Sequence, residues 1–374
     1  MSSPELRGVS ARKFRAPTGL SAPQVRVGLR AGGPGHGPTV EIPVAGCPKR
    51  MVFGPCGGVR DDGRCELAEH PCVFLDKPLV RWPEPPAQPR IPSALLDPGA
   101  DDPVVLADLS VTPFDPASVR RVVAALTPVS DGLLAGEHAN RPDFPPTMFA
   151  AEVIAAGGRI WTTLACRDRN RVVLEQELAG LAAVGVDGVL CVTGDGRGVS
   201  VRPGVTQVFD LDGVRLAALA AGMGLPVAVP ESPEAPPVDL RPARVAEKQR
   251  AGAQLCVLNH VSSPARVAAF VAAARSAGAT LPFVAGVAVY TDEPSARVLQ
   301  RFPGLHLDGA VVEGVLAAAD PRRAGIAAAV DEARALLAIP GVVGVNLSGT
   351  GSSGGVDDGA QVKAEVAAQL RGRP

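Results

Sequence analysis

Aromatic side chains are scarce in this sequence. Phe, Trp and Tyr make up 3% of 374 residues, with a single tyrosine, which excludes a base-stacking surface for single-stranded nucleic acid. Excess charge is also missing: the net value of -1 offers no general attraction to polyanions or anionic membranes. No apolar run approaches the roughly 18 residues that a membrane-spanning helix needs, and the first forty residues lack the apolar stretch of a secretory signal. The expectation is a cytoplasmic protein whose partners include neither nucleic acid nor membrane. No C-x2-C pair occurs either, so the common zinc-finger spacing is absent.

What is present is a local density of thiols. Cys47, Cys56, Cys65 and Cys72 fall within twenty-six residues, separated by Gly-Pro and Gly-Gly turns. Four thiolates saturate one metal centre, and a segment so short and turn-rich is expected to fold around a metal rather than around packed side chains. Zinc would make that centre structural, a [4Fe-4S] cluster would make it redox-active, and the spacing does not separate them. His70 is an alternative ligand or an exposed loop residue. The remaining Cys166, Cys191 and Cys256 each lie in an apolar run and read as buried structural residues. An odd total of seven in a cytosolic chain argues against a disulfide framework.

Four segments follow from composition. Residues 1–40 hold six Lys or Arg and one acid among Gly, Pro and Ser, a mix read as a poorly ordered leader rather than a basic tail. Residues 41–77 form the cysteine-rich metal-binding module. Residues 78–102, with WPEPP, QPRIP and LLDPG, form a Pro-rich linker biased to extended backbone. Residues 103–374 alternate strand-like and helical patterns. PVVLADLSV, DGLLAG, RIWTTLAC, DGVLCVTG, LPVAV, AQLCVLN, PFVAGVAV and GVVGVNLSG are continuous apolar runs, as buried parallel strands should be. Between them Asp115-Pro116 and Ser263-Pro264 open helices, and Leu174, Leu178 and Leu181 make an apolar stripe. Eight such units predict an α/β protein built on a (β/α)8 TIM barrel, preferred to an open doubly wound sheet, with an extra helical stretch from Val311 to Leu337.

In such barrels the chemistry lies at the carboxyl ends of the strands. Strand one carries Asp108 in an apolar setting that a carboxylate tolerates only with a partner or a task. Strand two is followed by Glu137 and His138, candidate acid/base groups or a solvated loop. Strand three ends with Arg167, Asp168, Arg169 and Asn170, which can cap a helix or hold an anion. Strand four ends with Gly194 and Asp195, where glycine permits close backbone approach to a ligand, and Arg197 follows. Strand eight opens into LSGTGSSGG, a phosphate cradle or a flexible closure.

Two sets of motifs carry a family resemblance. CPK at Cys47 to Lys49, GPCGG at Gly54 to Gly58, GRCE at Gly63 to Glu66, and Cys72 resemble the cysteine-rich domain associated with methylenetetrahydrofolate reductases. LACRDRN, VTGD, VFDLD at Val208 to Asp212 and VAEKQRAGAQLCVLN at Val245 to Asn259 resemble the reductase barrel itself. That resemblance implies reduction of 5,10-methylenetetrahydrofolate to 5-methyltetrahydrofolate in one-carbon and methionine metabolism. Asp195 would be the strand-four aspartate near folate and flavin, Lys248 a flavin contact, and Asn259 the equivalent of a folate-binding glutamine. Asp108 stands in place of a glutamate acting on the pterin, with Glu137 as a second proton donor. FAD would lie against Thr163, Arg167, Asp168, Gly194, Asp195 and Lys248.

Three departures stand out. Asp108 is one methylene short of the family glutamate, Thr163 replaces a histidine, and VPESPE at Val229 to Glu234 lacks the usual tyrosine. These weaken the flavin site and leave open a flavin-independent enzyme supplied by a nicotinamide donor or an electron-transfer protein. They equally leave open a non-catalytic folate-binding accessory subunit that docks an electron- or methyl-transfer partner, or another one-carbon or pterin enzyme. A homo-oligomer is compatible with either.

Overall fold

A computed structural model describes residues 43–83, 103–137, 141–197, 204–261, 263–302 and 305–372. The leader at 1–40, His138 and most of the linker, 84–102, lie outside the described residues. Eight parallel strands close into a barrel in sequence order. They are β1 (Val104–Asp108), β2 (Gly132–Ala135), β3 (Ile160–Ala165), β4 (Gly188–Val192), β5 (Val227–Glu231), β6 (Leu255–Leu258), β7 (Phe283–Tyr290) and β8 (Val342–Gly351). Each falls on one of the apolar runs expected to be a strand.

Helices α1 (Pro116–Leu126), α2 (Pro146–Ala155), α3 (Arg171–Val184), α4 (Gly213–Gly222), α5 (Arg241–Arg250) and α6 (Pro264–Ser276) follow the first six strands. Asp115 caps α1 and Asn170 caps α3 through their side chains, which fixes where the chain turns from strand end to helix. After β7 come α7 (Glu293–Gln300), α8 (Gly309–Leu316) and α9 (Pro321–Leu337), and α10 (Val356–Leu370) closes the chain after β8. The continuous stretch expected over Val311 to Leu337 is therefore two helices. Asp320 accepts the Arg323 N–H and Pro321 occupies the first turn, so a new helix starts where the pattern had seemed unbroken.

The core has two shells. Inside the barrel, Val104, Leu106, Leu134, Trp161, Leu190 and Ala228 pack with residues of β6 and β7. Trp161 fits because its partner on β4 is Gly188, where a Cβ would lie 2.5 Å from the indole. A larger shell of Val, Leu, Ala and Phe side chains fills the space between strands and helices. Alternation along each strand sets which residues reach the mouth: continuing the inward series beyond Leu106, Trp161 and Val257 places Asp108, Thr163 and Asn259 there.

The cysteine-rich module belongs to the same compact unit, Glu41–Pro374, as the barrel. It is built of turns, with one isolated bridge between Arg64 and Pro71. Contrary to the expectation of a core made by metal alone, it buries Met51, Val52, Phe53, Val59 and Phe74. Val52 and Phe53 pack with Val214 and Ala251, and Phe53 meets Trp82 at 4.8 Å between ring centroids. Glu247 of α5 accepts the Trp82 N–H at 2.7 Å, so the start of the linker is fastened to the barrel. Among the described residues no helix is long and apolar enough to cross a membrane.

Candidate functional site

The four module cysteines line one cavity, together with Lys49 and Glu66. Cys47, Cys65 and Cys72 lie within electrostatic reach of one another, while Cys56 sits on the barrel side, its Sγ 3.5 Å from Glu66 Oε1. Burial pushes the Cys56 thiol up to about 11 and raises Cys47 and Cys72 as well. Among the described residues no three His, Cys, Asp or Glu side chains converge at the spacing of a single ion. One zinc would require Sγ atoms about 3.8 Å apart, from four bonds of about 2.3 Å in a tetrahedron. The four thiols line one cavity, a donor set that chemically would suit zinc or a [4Fe-4S] cluster, and a cluster would supply one-electron redox capacity when bound.

The glycine turns of the module have a local reason. A Cβ on Gly58 would lie 1.9 Å from Glu66 Oε1, and one on Gly57 2.9 Å from Ser232 Oγ, so GPCGG lets a module carboxylate and a barrel hydroxyl approach the backbone. Glu66 then pairs with Lys49, and both reach the end of β4. Lys49 Nζ donates to Gly194 O at 2.6 Å, the Gly196 N–H donates to Glu66 Oε2 at 2.8 Å, and Arg167 Nη1 donates to Asp195 O at 3.3 Å. Backbone groups of three successive residues, in two peptide units, are thus held, two of the three by the module. The Asp195 carboxylate accepts no hydrogen bond among the described residues. Burial raises its pKa, opposed by the charge of Lys49 and assisted by Glu66.

Across the barrel, Asn346 of β8 donates through Nδ2 to Asp108 Oδ1 at 2.8 Å and to Ser348 Oγ at 2.9 Å. Behind β1, the buried Lys363 of α10 donates to Asp108 O at 2.6 Å. Burial brings Lys363 down to about 8, against the attraction of Asp108. Between pH 8 and the unfolded value near 10.5, the unfolded chain binds a proton that the folded one does not, so this group makes stability rise with pH in that window. Lys363→Met is accordingly expected to be more stable than the parent at pH 7 by about 1–2 kcal/mol, an advantage that shrinks from pH 8 to 10.5. Urea unfolding of both proteins across that range checks it, since the thiols they share cancel in the difference.

The other expected site residues are dispersed. Thr163 is buried in the lumen series. Asn259 donates to Ser232 Oγ at 2.8 Å, beside the module's Gly57. Glu137 accepts the Ala165 N–H at 2.6 Å and pairs with Arg169 at 2.7 Å; burial raises its pKa while Arg169 holds it down. Arg167 and Arg197 both pair with Asp168, whose carboxyl they keep below its usual range despite partial burial. Lys248 lies on the outer side of β5, where it donates to Pro230 O and to Glu231 Oε2. Glu231 also meets Arg241 and Arg244. Burial opposes ionisation of Glu231, yet Lys248, Arg244 and Arg241 bring it down to about 2.

This placement does not fit a flavin held as the resemblance implies. Thr163 and Lys248 lie on opposite sides of the barrel wall, and Arg167 with Asp168 is engaged in an ion network. The Gly-rich loop after β8 is likewise occupied: Asp292 Oδ2 accepts the Ser353 N–H at 2.8 Å and the Ser353 hydroxyl at 3.0 Å, so a side-chain carboxylate of this chain sits where a phosphate would. Lys49 and Glu66 entered the sequence reading only as motif letters. Their flanking of two thiols was the signal that they face the same cavity. Glu231, Arg241, Arg244, Asn346 and Lys363 carried no sequence signal beyond being charged or polar in apolar surroundings.

Residues 39–78 match a family model described as "Methylene-tetrahydrofolate reductase C terminal". The match covers the cysteine-rich segment and agrees with its motif resemblance. No curated protein matches the chain. Among solved structures, one described as "Uncharacterized protein from Clostridium thermocellum binds two copies of 5-methyl-5,6,7,8-tetrahydrofolic acid" is 10% identical, with a TM-score of 0.53 over 73% of this chain and 96% of that one. An oxaloacetate acetylhydrolase structure is 13% identical, with a TM-score of 0.41 over 68% of this chain and 78% of that one. At 10% identity, the likeness to the first is one of fold.

Proposed function

We propose that this protein binds a reduced folate at the mouth of its barrel and reduces 5,10-methylenetetrahydrofolate to 5-methyltetrahydrofolate without a bound flavin. The observation that carries the reading is the clamped Asp195 at the end of β4, its loop backbone held by Lys49, Glu66 and Arg167 while its carboxylate accepts no hydrogen bond among the described residues. The family match of the module supports it, as does a barrel neighbour that binds two copies of a methylated folate.

The residues suggest how the steps divide. Opening the folate's five-membered ring protonates one nitrogen and leaves an iminium cation, which an anionic Asp195 stabilises electrostatically. Glu137 is held by Arg169 and a backbone amide, so it is a poor proton donor. Asp108 has one oxygen fixed by Asn346 and one left over, which makes it the better candidate. A hydride from a nicotinamide, added at the iminium carbon, completes the reduction. The [4Fe-4S] reading of the cysteines would add a route for electrons from a protein partner.

The dispersed flavin residues favour a second reading, an accessory subunit that binds folate and passes electrons onward. Both readings expect saturable binding of 5-methyltetrahydrofolate. Anaerobic product analysis with NADH, NADPH and a reduced low-potential donor separates them: 5-methyltetrahydrofolate formation supports the enzyme. Binding with no product from any donor supports the accessory role and defeats the enzyme reading.

A further inference from the structure

Helices α7 and α8 stand at the carboxyl end of β7, on the face of the barrel where the candidate site opens. Ala288 and Tyr290 of β7 pack there with Ala296 and Leu299 of α7 and with Val312 and Val315 of α8. A histidine ties the segment before α8 to β6. His260, which follows Asn259 at the end of β6, is 5% exposed. Its Nδ1 lies 2.6 Å from His306 O and its Nε2 2.7 Å from Glu332 Oε1 of α9, so one ring joins three parts of the chain.

A carbonyl oxygen and a carboxylate accept hydrogen bonds and do not donate them. Both ring nitrogens must therefore carry a proton, and the form that fits is the imidazolium. Burial alone would favour the neutral ring, but the hydrogen bond and charge of Glu332, with His306 O and Glu234, outweigh it and raise the His260 pKa above its ordinary value. The other titratable groups nearby have their own engagements. Glu234 pairs with Arg266 at 2.8 Å, and Asp308 caps α8 by accepting the Ala310 and Val311 N–H groups. Tyr290 is pushed up to about 12 by burial, with Glu332 and Asp308 adding to it, so it stays uncharged. The His306 Nε2 lies 3.8 Å from Asp61 Oδ1 of the module, beyond hydrogen-bond reach.

Losing one proton reverses one of the two His260 contacts. The proton kept is the one facing the carboxylate, because a charge-assisted hydrogen bond is about twice as strong as a neutral one. The Nδ1 lone pair then meets His306 O at 2.6 Å, and two acceptors at that distance repel. Leu305 and Leu307, on either side, are only partly buried against the α7–α8 cluster, so the apolar grip on this segment is partial.

We propose that His260 is a pH-sensitive latch: its imidazolium holds the segment before α8 against β6 and α9, and the neutral ring releases it. The device does not depend on which reaction the barrel carries out. It adjoins Asn259, so release loosens the rim of the mouth beside that side chain. With a folded-state pKa above 6.5, the latch is closed in full below that pH and opens as the pH rises through the folded value.

Hydrogen exchange in the full-length protein, read by mass spectrometry and corrected for the intrinsic rate at each pH, tests the latch. Protection of residues 305–316 is expected to fall about ten- to a hundredfold between about pH 6 and about pH 9, as loss of one charge-assisted hydrogen bond implies. His260→Gln is expected to show the low protection at both pH values. Glu332→Gln is expected to keep the high protection at both, because a glutamine amide can donate to Nε2 and leave the single proton of a neutral ring for His306 O. Groups that the three proteins share, the thiols and Lys363 among them, cancel in the comparison. Parental protection that does not change with pH overturns the proposal, as does an equal fall in His260→Gln. Should His260→Gln fail to fold, Glu332→Gln decides: a fall as large as the parent's overturns the latch.

Discussion

Replacing Asp195 with asparagine is expected to lower turnover of 5,10-methylenetetrahydrofolate by about 10²–10³-fold while leaving folate affinity within about threefold. The substitution keeps the size and removes the charge. The clamp is made by peptide groups of Gly194, Asp195 and Gly196 together with Lys49, Glu66 and Arg167, so it survives the change. What is lost is the negative charge that an iminium cation would meet, and the effect belongs to the rate of the chemical step rather than to binding. Steady-state kinetics beside a calorimetric titration separates the two quantities. Unchanged turnover removes Asp195 from the mechanism.

The second large effect is structural and starts in the cysteine-rich module. Gly58→Ala would set a methyl group 1.9 Å from Glu66 Oε1. Glu66 cannot simply step aside, because it pairs with the buried Lys49 and accepts the Gly196 N–H. Displacing it breaks a largely buried ion pair and frees the loop that carries Asp195. The expected cost is about 3–5 kcal/mol of stability, read by chemical denaturation, with loss of the Asp195-dependent rate in whatever protein remains folded. Parental stability in Gly58→Ala would mean that the Glu66 contact is unimportant. The GPCGG turn would then owe its glycines to something other than this approach.

The two effects share one physical cause. The module holds the strand-four loop in place with a lysine and a carboxylate that flank its own thiols. Lys49 and Glu66 line the cysteine cavity and also touch the strand-four loop.

Much of the fold was legible from periodicity alone. Eight apolar runs became eight strands, because a parallel barrel buries both faces of each strand and so leaves continuous rather than alternating patterns. The break between α8 and α9 was hidden: Asp320-Pro321 restarts a helix within an apolar pattern that runs on through Val311, Val315 and Ile326. The site was legible where its residues share a short segment, as in CPK and GRCE. It was not legible where partners are far apart in sequence, as with Asn346 and Asp108, which lie 238 positions apart. Lys248 shows a different limit. Its segment matched the reductase barrel, but the side chain is drawn to Glu231, and only the fold reveals that this lies on the far side of β5 from the lumen.

Calorimetric titration of 5-methyltetrahydrofolate into the full-length, metal-loaded protein tests the central claim most directly. The expected result is saturable binding that is weakened when Asp108 or Asn259, two polar groups of the lumen series, is replaced by alanine. The absence of binding by any reduced folate, or binding indifferent to both substitutions, would contradict a folate site at the barrel mouth.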